Sequence, residues 1–282
     1  MTTTPVRRPG NTTDLSDLRS RQQRVWSSGD YNRIAALTVP VSETLVQVAE
    51  VAPGTTVLDV ATGTGHAALA AARQGADVAG VDYVPELLTI ARGRASAERL
   101  RVDLVEAPAE ELPFPDESFE IVLSAIGVMF AADHARAADE IVRVTVPGGR
   151  IFLASWTPSG FVGGMLGIVG RHVPPPAGAV SPLRWGTEDG VRELFGGSVT
   201  ELRSTVRSVT QRFADAESFA DLFLAYYGPT HMAAASLDAG GREALRADLV
   251  AHAAASARPD SPRGHLVLDW EFRVVTARRT GR

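Results

Sequence analysis

Cysteine is absent from the 282 residues, which excludes a disulfide framework, a thiolate metal site and a thiol nucleophile. A long apolar run is missing too. The stretch from Phe161 to Val169 is too short and too rich in glycine to span a bilayer. Nor is there an excess of basic charge: 28 Lys and Arg face 33 Asp and Glu, a formal net charge of −5. The basic residues are scattered, so no nucleic-acid surface is expected. No apolar segment follows Arg7 and Arg8, so the first ten residues do not read as a secretory signal. The expected location is therefore cytoplasmic, with no membrane partner. With 45% hydrophobic residues, the chain can bury a large core as one big domain or one domain with a cap.

What is present begins with Val57-Leu58-Asp59-Val60-Ala61-Thr62-Gly63-Thr64-Gly65-His66 and the alanine-rich run from Ala67 to Ala72. An apolar run, closely spaced glycines and a strong helix former read as strand, tight turn and helix. Glycine belongs in such a turn because the backbone must reverse sharply and let a ligand come nearer than a Cβ allows. Gly63, Gly65 and Ala68 also satisfy the G-x-G-x-x-[GA] spacing of nicotinamide enzymes. Asp82 ends the next apolar run, 17 residues past Gly65. That is close to the roughly 20 residues at which a carboxylate reaches a ribose hydroxyl in a βαβ unit. Tyr83 follows, able to lie on a base or to pack on the sheet edge. The spacing alone thus points to an adenosine ligand without choosing between cofactors.

Asp59-x-Ala61-x-Gly63-x-Gly65 resembles the first motif of class I S-adenosylmethionine-dependent methyltransferases, with Ala61 at the first glycine position. Leu112-Pro113-Phe114-Pro115-Asp116-Glu117-Ser118-Phe119-Glu120 is similar to the L-P-F-x-D-x-S-F-D signature of the ubiquinone and menaquinone biosynthesis type, with Glu120 for the last Asp. Arg143-Val144-Thr145-Val146-Pro147-Gly148-Gly149 is similar to that family's helix end before its fifth strand. The resemblance covers about Val57 to Trp156. It implies a Rossmann-like α/β fold: a seven-stranded, mostly parallel sheet with an antiparallel last strand, helices on both faces and, here, a mainly helical substrate cap. It also implies S-adenosylmethionine as cofactor, with Asp59 orienting its amino acid end. Tyr31, Asp59, Ala61, Thr62, Gly63, Gly65, Asp82, Tyr83, Ala109, Glu110 and Ser124 are the expected cofactor-binding residues. In the family an Asp in the loop before this signature contacts the adenine amine, but Pro108 stands at that position. The glycine turn by itself leaves open an NAD(P)-dependent oxidoreductase, although that reading leaves Asp59, the Leu112 to Phe119 signature and the Pro147 turn unexplained. A non-catalytic cofactor-binding protein of the same fold also stays open.

The expected organisation is a disordered tail at 1–13, N-terminal helices forming a cofactor lid at 14–52 and the cofactor-binding core at 53–157. A first cap insertion at 158–197, a core strand at 198–213, a helical cap insertion at 214–262 and a last strand with its tail at 263–282 complete it. One N-terminal helix is expected over Asp14 to Ser27 and another over Ser42 to Val51, behind a Ser42 cap. Trp26 and Tyr31 are lid candidates. In the second insertion, Gly228-Pro229 and Gly240-Gly241 are expected to separate helices Ala216 to Tyr227, His231 to Ala239 and Arg242 to Ala257. Long connections returning to a sheet edge usually carry function. Trp156, Arg184, Trp185, Tyr226 and Tyr227 are therefore the expected contacts to a small, hydrophobic or aromatic acceptor. Where an acceptor must lose a proton, His134 and His231 are the candidate bases. No repeated His and carboxylate spacing suggests a metal. The expected assembly is a monomer or homodimer.

Overall fold

The computed structural model describes residues 12–176, 178–259 and 264–281. The tail expected at 1–13 thus lies almost wholly outside the described residues. Two helices, α1 (Thr12–Trp26) and α2 (Tyr31–Ala49), precede an alternation of β1 (Thr56–Val60), α3 (His66–Arg73), β2 (Asp77–Asp82), α4 (Pro85–Glu98) and β3 (Val102–Glu106). Then come β4 (Phe119–Ala125), α5 (His134–Val144), β5 (Thr145–Trp156), α6 (Phe161–His172) and α7 (Glu188–Phe195). The chain closes with β6 (Val199–Phe213), α8 (Ala216–Tyr226), α9 (Gly228–Ser236), α10 (Ala239–Ala255) and β7 (Leu266–Arg279).

The strands form one seven-stranded sheet in the order β3-β2-β1-β4-β5-β7-β6. Neighbours from β3 to β5 run parallel, and β7 alone is antiparallel, to both β5 and β6. The expected fold class is the one observed. Strand order reverses between β1 and β4, and in an open α/β sheet a ligand binds outside the carboxyl ends of the strands at such a switch point. Leu266, Leu268, Trp270, Phe272 and Val274 all point inward from β7 and are buried, which is the period-2 pattern read from the sequence. Phe161 stacks on Trp270 of β7 with ring centroids 6.3 Å apart and meets Phe219 edge-on at 5.1 Å, while Phe223 meets Trp270 edge-on at 5.7 Å, so aromatic rings join the sheet to α6 and α8.

Two helix boundaries differ from expectation. The second helix starts at Tyr31, not at Ser42, and runs straight through Pro40. A proline inside a helix removes a hydrogen bond and costs about 3 kcal/mol, which is why the sequence reads as starting after it. Here Ile34, Val41, Leu45 and Val46 are buried along one stripe, each stabilising by roughly 1.5 to 3 kcal/mol, so packing wins. Ser42 is buried inside the helix and is no cap. Likewise Gly240 and Gly241 do not break a helix. Asp238 accepts a hydrogen bond from the Gly241 amide at 2.7 Å and caps α10, which begins at Ala239 and takes both glycines into its first turn. His231 lies in the first turn of α9, which opens earlier, at Gly228 and Pro229.

No helix among the described residues is long and apolar enough to cross a membrane.

Candidate active site

The site grows from the turn after β1. Ala61 (φ +55°) and Gly63 (φ +53°) both take the left-handed conformation, and the Thr62 amide donates to the Val81 carbonyl at 2.8 Å, tying the turn to β2. Asp59, at the end of β1, is buried. Its Oδ2 accepts from the Thr62 hydroxyl at 2.6 Å and the Ala68 amide at 3.0 Å. Its Oδ1 is buried with no partner. Burial raises its pKa to about 7 against the help of those two hydrogen bonds. Asp82 ends β2 with Oδ2 accepting from the Gly63 amide at 2.8 Å and Oδ1 from the Val84 amide at 2.9 Å. Burial again dominates and raises its pKa to about 6.

These groups line a cavity that Trp26, Tyr31 and Phe130 also wall. A Cβ on Gly63 would meet the Tyr31 ring at 3.9 Å. Gly127, on the far wall, lies so close to the Ala61 carbonyl oxygen that a Cβ there would sit 2.3 Å away. Tyr31, Asp59, Ala61, Thr62, Gly63, Asp82 and Tyr83 therefore converge on one cavity, as the sequence predicts. Gly65 shapes the turn without lining it. Ser124 lies beneath: its hydroxyl donates to the Val60 carbonyl at 2.7 Å and accepts from the Val128 amide at 3.0 Å, so it braces β1 against the segment after β4. Ala109 and Glu110 line a smaller adjoining cavity, and Glu110 is occupied in accepting from the Ala132 and Asp133 amides.

His66 also borders the main cavity. Arg94 points Nη1 at its ring, 2.7 Å from Nε2, and donates to the Thr64 carbonyl at 3.0 Å and, from Nη2, to Asn32 Oδ1 at 2.6 Å. Burial, then the Arg94 charge, lowers the His66 pKa to about 4, so the ring is neutral at pH 7.

A second chamber adjoins the first and shares Trp26, Tyr31, Thr38 and Phe130 with it. Its deep walls are Trp156, Val162, Met165, Phe223, Tyr227 and Trp270. Trp156 and Tyr227 are where the sequence predicts acceptor contacts. Arg184, Trp185 and Tyr226 line neither cavity. Trp185 is fully buried between His134 and Phe195, Arg184 pairs with Glu193 at 2.8 Å, and the Tyr226 ring sits under the Arg33 guanidinium. The two candidate bases also stand apart. His134 is buried against Trp185, with its pKa lowered to about 4 by burial and then by Arg184. His231 donates from Nδ1 to the Leu224 carbonyl at 3.1 Å. Both histidines are held by packing or hydrogen bonds away from the cavities. Sequence reasoning missed Thr38, Gly127, Phe130 and Met165, none of which carries a local signal.

An adenosyl amino acid fits what is here: a ribose-spaced carboxylate, a turn open to close approach, and a buried carboxylate oxygen lacking a donor where a ligand ammonium can supply one. A family model described as a methyltransferase domain matches residues 58–153. The chain is 40% identical over 269 residues to an uncharacterized protein of Mycobacterium tuberculosis, covering 93% of this chain and 95% of that one. It is 39% identical over 128 residues to the demethylmenaquinone methyltransferase of Deinococcus radiodurans, covering 44% of this chain and 53% of that one. The crystal structure of the YcgJ protein from Bacillus subtilis superposes with a TM-score of 0.59 at 17% identity, covering 86% of this chain and 99% of that one. The chain belongs to the class I S-adenosylmethionine-dependent methyltransferases. None of these likenesses supports the nicotinamide reading.

Proposed function

We propose that this methyltransferase uses S-adenosylmethionine to methylate a small hydrophobic or aromatic molecule. The observation that carries this reading is the second chamber, which joins the cofactor cavity and has aromatic and aliphatic walls with no Asp, Glu, His, Lys or Arg among them. When bound, the cofactor supplies a methyl group on a positively charged sulfur with a good leaving group behind it. Asp59 would hold the amino group at its free Oδ1 and Asp82 the ribose hydroxyls. Trp26, Tyr31 and Phe130, at the junction of the two cavities, exclude water and align what enters the chamber. Alignment of this kind can supply about 7 to 11 kcal/mol of a barrier in favourable cases.

The chain's own acid-base chemistry limits the acceptor. Tyr31 and Tyr227 are the titratable side chains of the chamber wall, and burial pushes both phenol pKa values well up. They hold their protons at neutral pH and so cannot act as bases. With His134 and His231 elsewhere, the wall offers no base, which favours nucleophiles that need none: a thiolate, a neutral amine, an activated carbon or an already ionised phenol. Incubation with S-adenosylmethionine and a panel of aromatic and aliphatic metabolites, read by mass spectrometry, tests this. A one-methyl gain confined to apolar acceptors is expected. Methylation of charged, polar acceptors alone overturns the reading.

A further inference from the structure

Beside Asp82 lies the small adjoining cavity, whose walls past Tyr83 are largely methyl groups: Ala107, Ala109, Val128 and Ala131. The loop that forms it offers little polar recognition. Pro108 has no amide hydrogen, and Glu110 Oε1 is committed to the Ala132 and Asp133 amides at 2.6 and 3.1 Å. Polar groups reach the cavity from the opposite side, from α1. Arg19 and Gln22 line it, and Gln23 on the same helical face docks α1 by donating from Nε2 to the Tyr83 carbonyl at 2.5 Å. Residues three and four apart share one face of a helix, so this contact aims Arg19 and Gln22 together. Two buried polar atoms here lack any partner: Arg19 Nε and the Tyr83 hydroxyl. Buried donors are normally satisfied, and unsatisfied ones at a cavity point to a ligand that completes them.

On the cofactor reading, the purine ring carried by the ribose at Asp82 lies in this cavity; we propose that α1 reads its edge, Arg19 donating to a ring nitrogen and Gln22 pairing with the amine and its neighbouring nitrogen. The ring's position follows from Asp82, which borders both cavities and is spaced to hold the ribose. Apolar walls suit the faces of a base. A glutamine amide carries a donor and an acceptor side by side, the pattern complementary to the N6 and N7 edge of adenine. The inference rests on the cofactor reading above and adds to it the residues that select adenine. It also makes α1 part of the cofactor site, so that the base and the lid stabilise each other.

The test is calorimetric titration of the full chain and its Arg19→Met and Gln22→Met variants with S-adenosylhomocysteine and its 1-, 3- and 7-deaza analogues. The unmutated chain is expected to bind at least one deaza analogue about tenfold more weakly than the parent ligand. In one or both variants the parent ligand should weaken by a similar factor, and the penalty for that analogue should shrink to below about threefold. Thermal midpoints of the free proteins, and an Arg19→Lys variant that keeps the charge without the planar donors, separate base reading from helix support. Weakening of parent and analogues by one common factor in every variant, or no discrimination by the unmutated chain, overturns the proposal. Failure of the unmutated chain to bind S-adenosylhomocysteine overturns the cofactor reading itself.

Discussion

At the scale of single residues, Asp59 couples binding to pH. In the free protein its pKa lies near 7 because burial disfavours the anion, well above the ordinary carboxylate value of 3.8 that it takes when unfolded. A carboxyl raised on folding stabilises the folded state fully below the unfolded value, and that stability is lost as pH climbs through the folded one. Asp82, near 6, acts in the same direction. The free protein is therefore expected to lose stability from these two groups between about pH 4 and pH 7, which urea melts at a series of pH values would show. A ligand ammonium at Oδ1 favours the anion, so binding expels a proton below pH 7. Affinity for S-adenosylhomocysteine should rise with pH by up to about tenfold per unit below 7. Calorimetry at pH 6 in two buffers of different ionisation enthalpy measures the released proton, and net proton uptake would contradict the assignment. Ala61 is the other informative residue. Its φ of +55° costs an L-residue roughly 1 to 2 kcal/mol, partly offset by the greater freedom glycine has when unfolded. Ala61→Gly should raise stability by about 0.5 to 1 kcal/mol, as denaturant titration would report.

At the scale of elements, α1 depends on what it docks against. Its sequence is predominantly polar, and a 15-residue helix is marginal without tertiary contacts. Trp26 supplies them, meeting Tyr31, Phe130 and Tyr227 edge-on with ring centroids 5.2, 4.7 and 5.7 Å away. Hydrogen exchange of α1 amides should slow by about tenfold or more when S-adenosylhomocysteine binds. Trp26→Ala should speed exchange there in the free protein while the strand amides of β1 and β4 stay as they were; uniform acceleration would show that Trp26 supports the whole core instead. The elements differ in how far the sequence discloses them. The β1 turn, Asp82 and β7 were legible because their signals are local: glycine spacing, a carboxylate at a strand end, a period of two. The start of α2 was hidden because a proline's cost is local while the burial of Ile34 and Leu45 that outweighs it is tertiary. The chamber was hidden for a related reason. Trp185 and Tyr226 are as aromatic as Trp156 and Tyr227, and composition does not disclose which face of an element turns toward a cavity. Ile34, Met165 and Phe223 line one chamber only because α2, α6 and α8 bring them there from distant parts of the chain.

At the scale of the whole molecule, the sheet has two edges, and an unpaired edge is a template for joining another chain. The β3 edge is five residues long and carries Asp103 and Glu106. The β6 edge is fifteen residues long, pairs only with β7, and would be the natural place for two copies to meet. It is instead guarded. Arg203, Arg207 and Arg212 are all exposed along it, so a second copy laid against it would bring like charges together. Near its start the register shifts between Thr200 and Arg203, and Glu201 takes a left-handed φ of +51°. Such a bulge bends the strand away from a straight partner. A monomer is therefore expected at micromolar concentration, and sedimentation equilibrium should return the mass of one 29.9 kDa chain. Replacing Arg203, Arg207 and Arg212 with threonine should move the protein toward self-association, because threonine suits a strand and removes the repulsion. A dimer formed by the unmutated chain would place the contact on a surface other than this edge, and a triple variant that stayed monomeric would show that the bulge alone is enough to protect it.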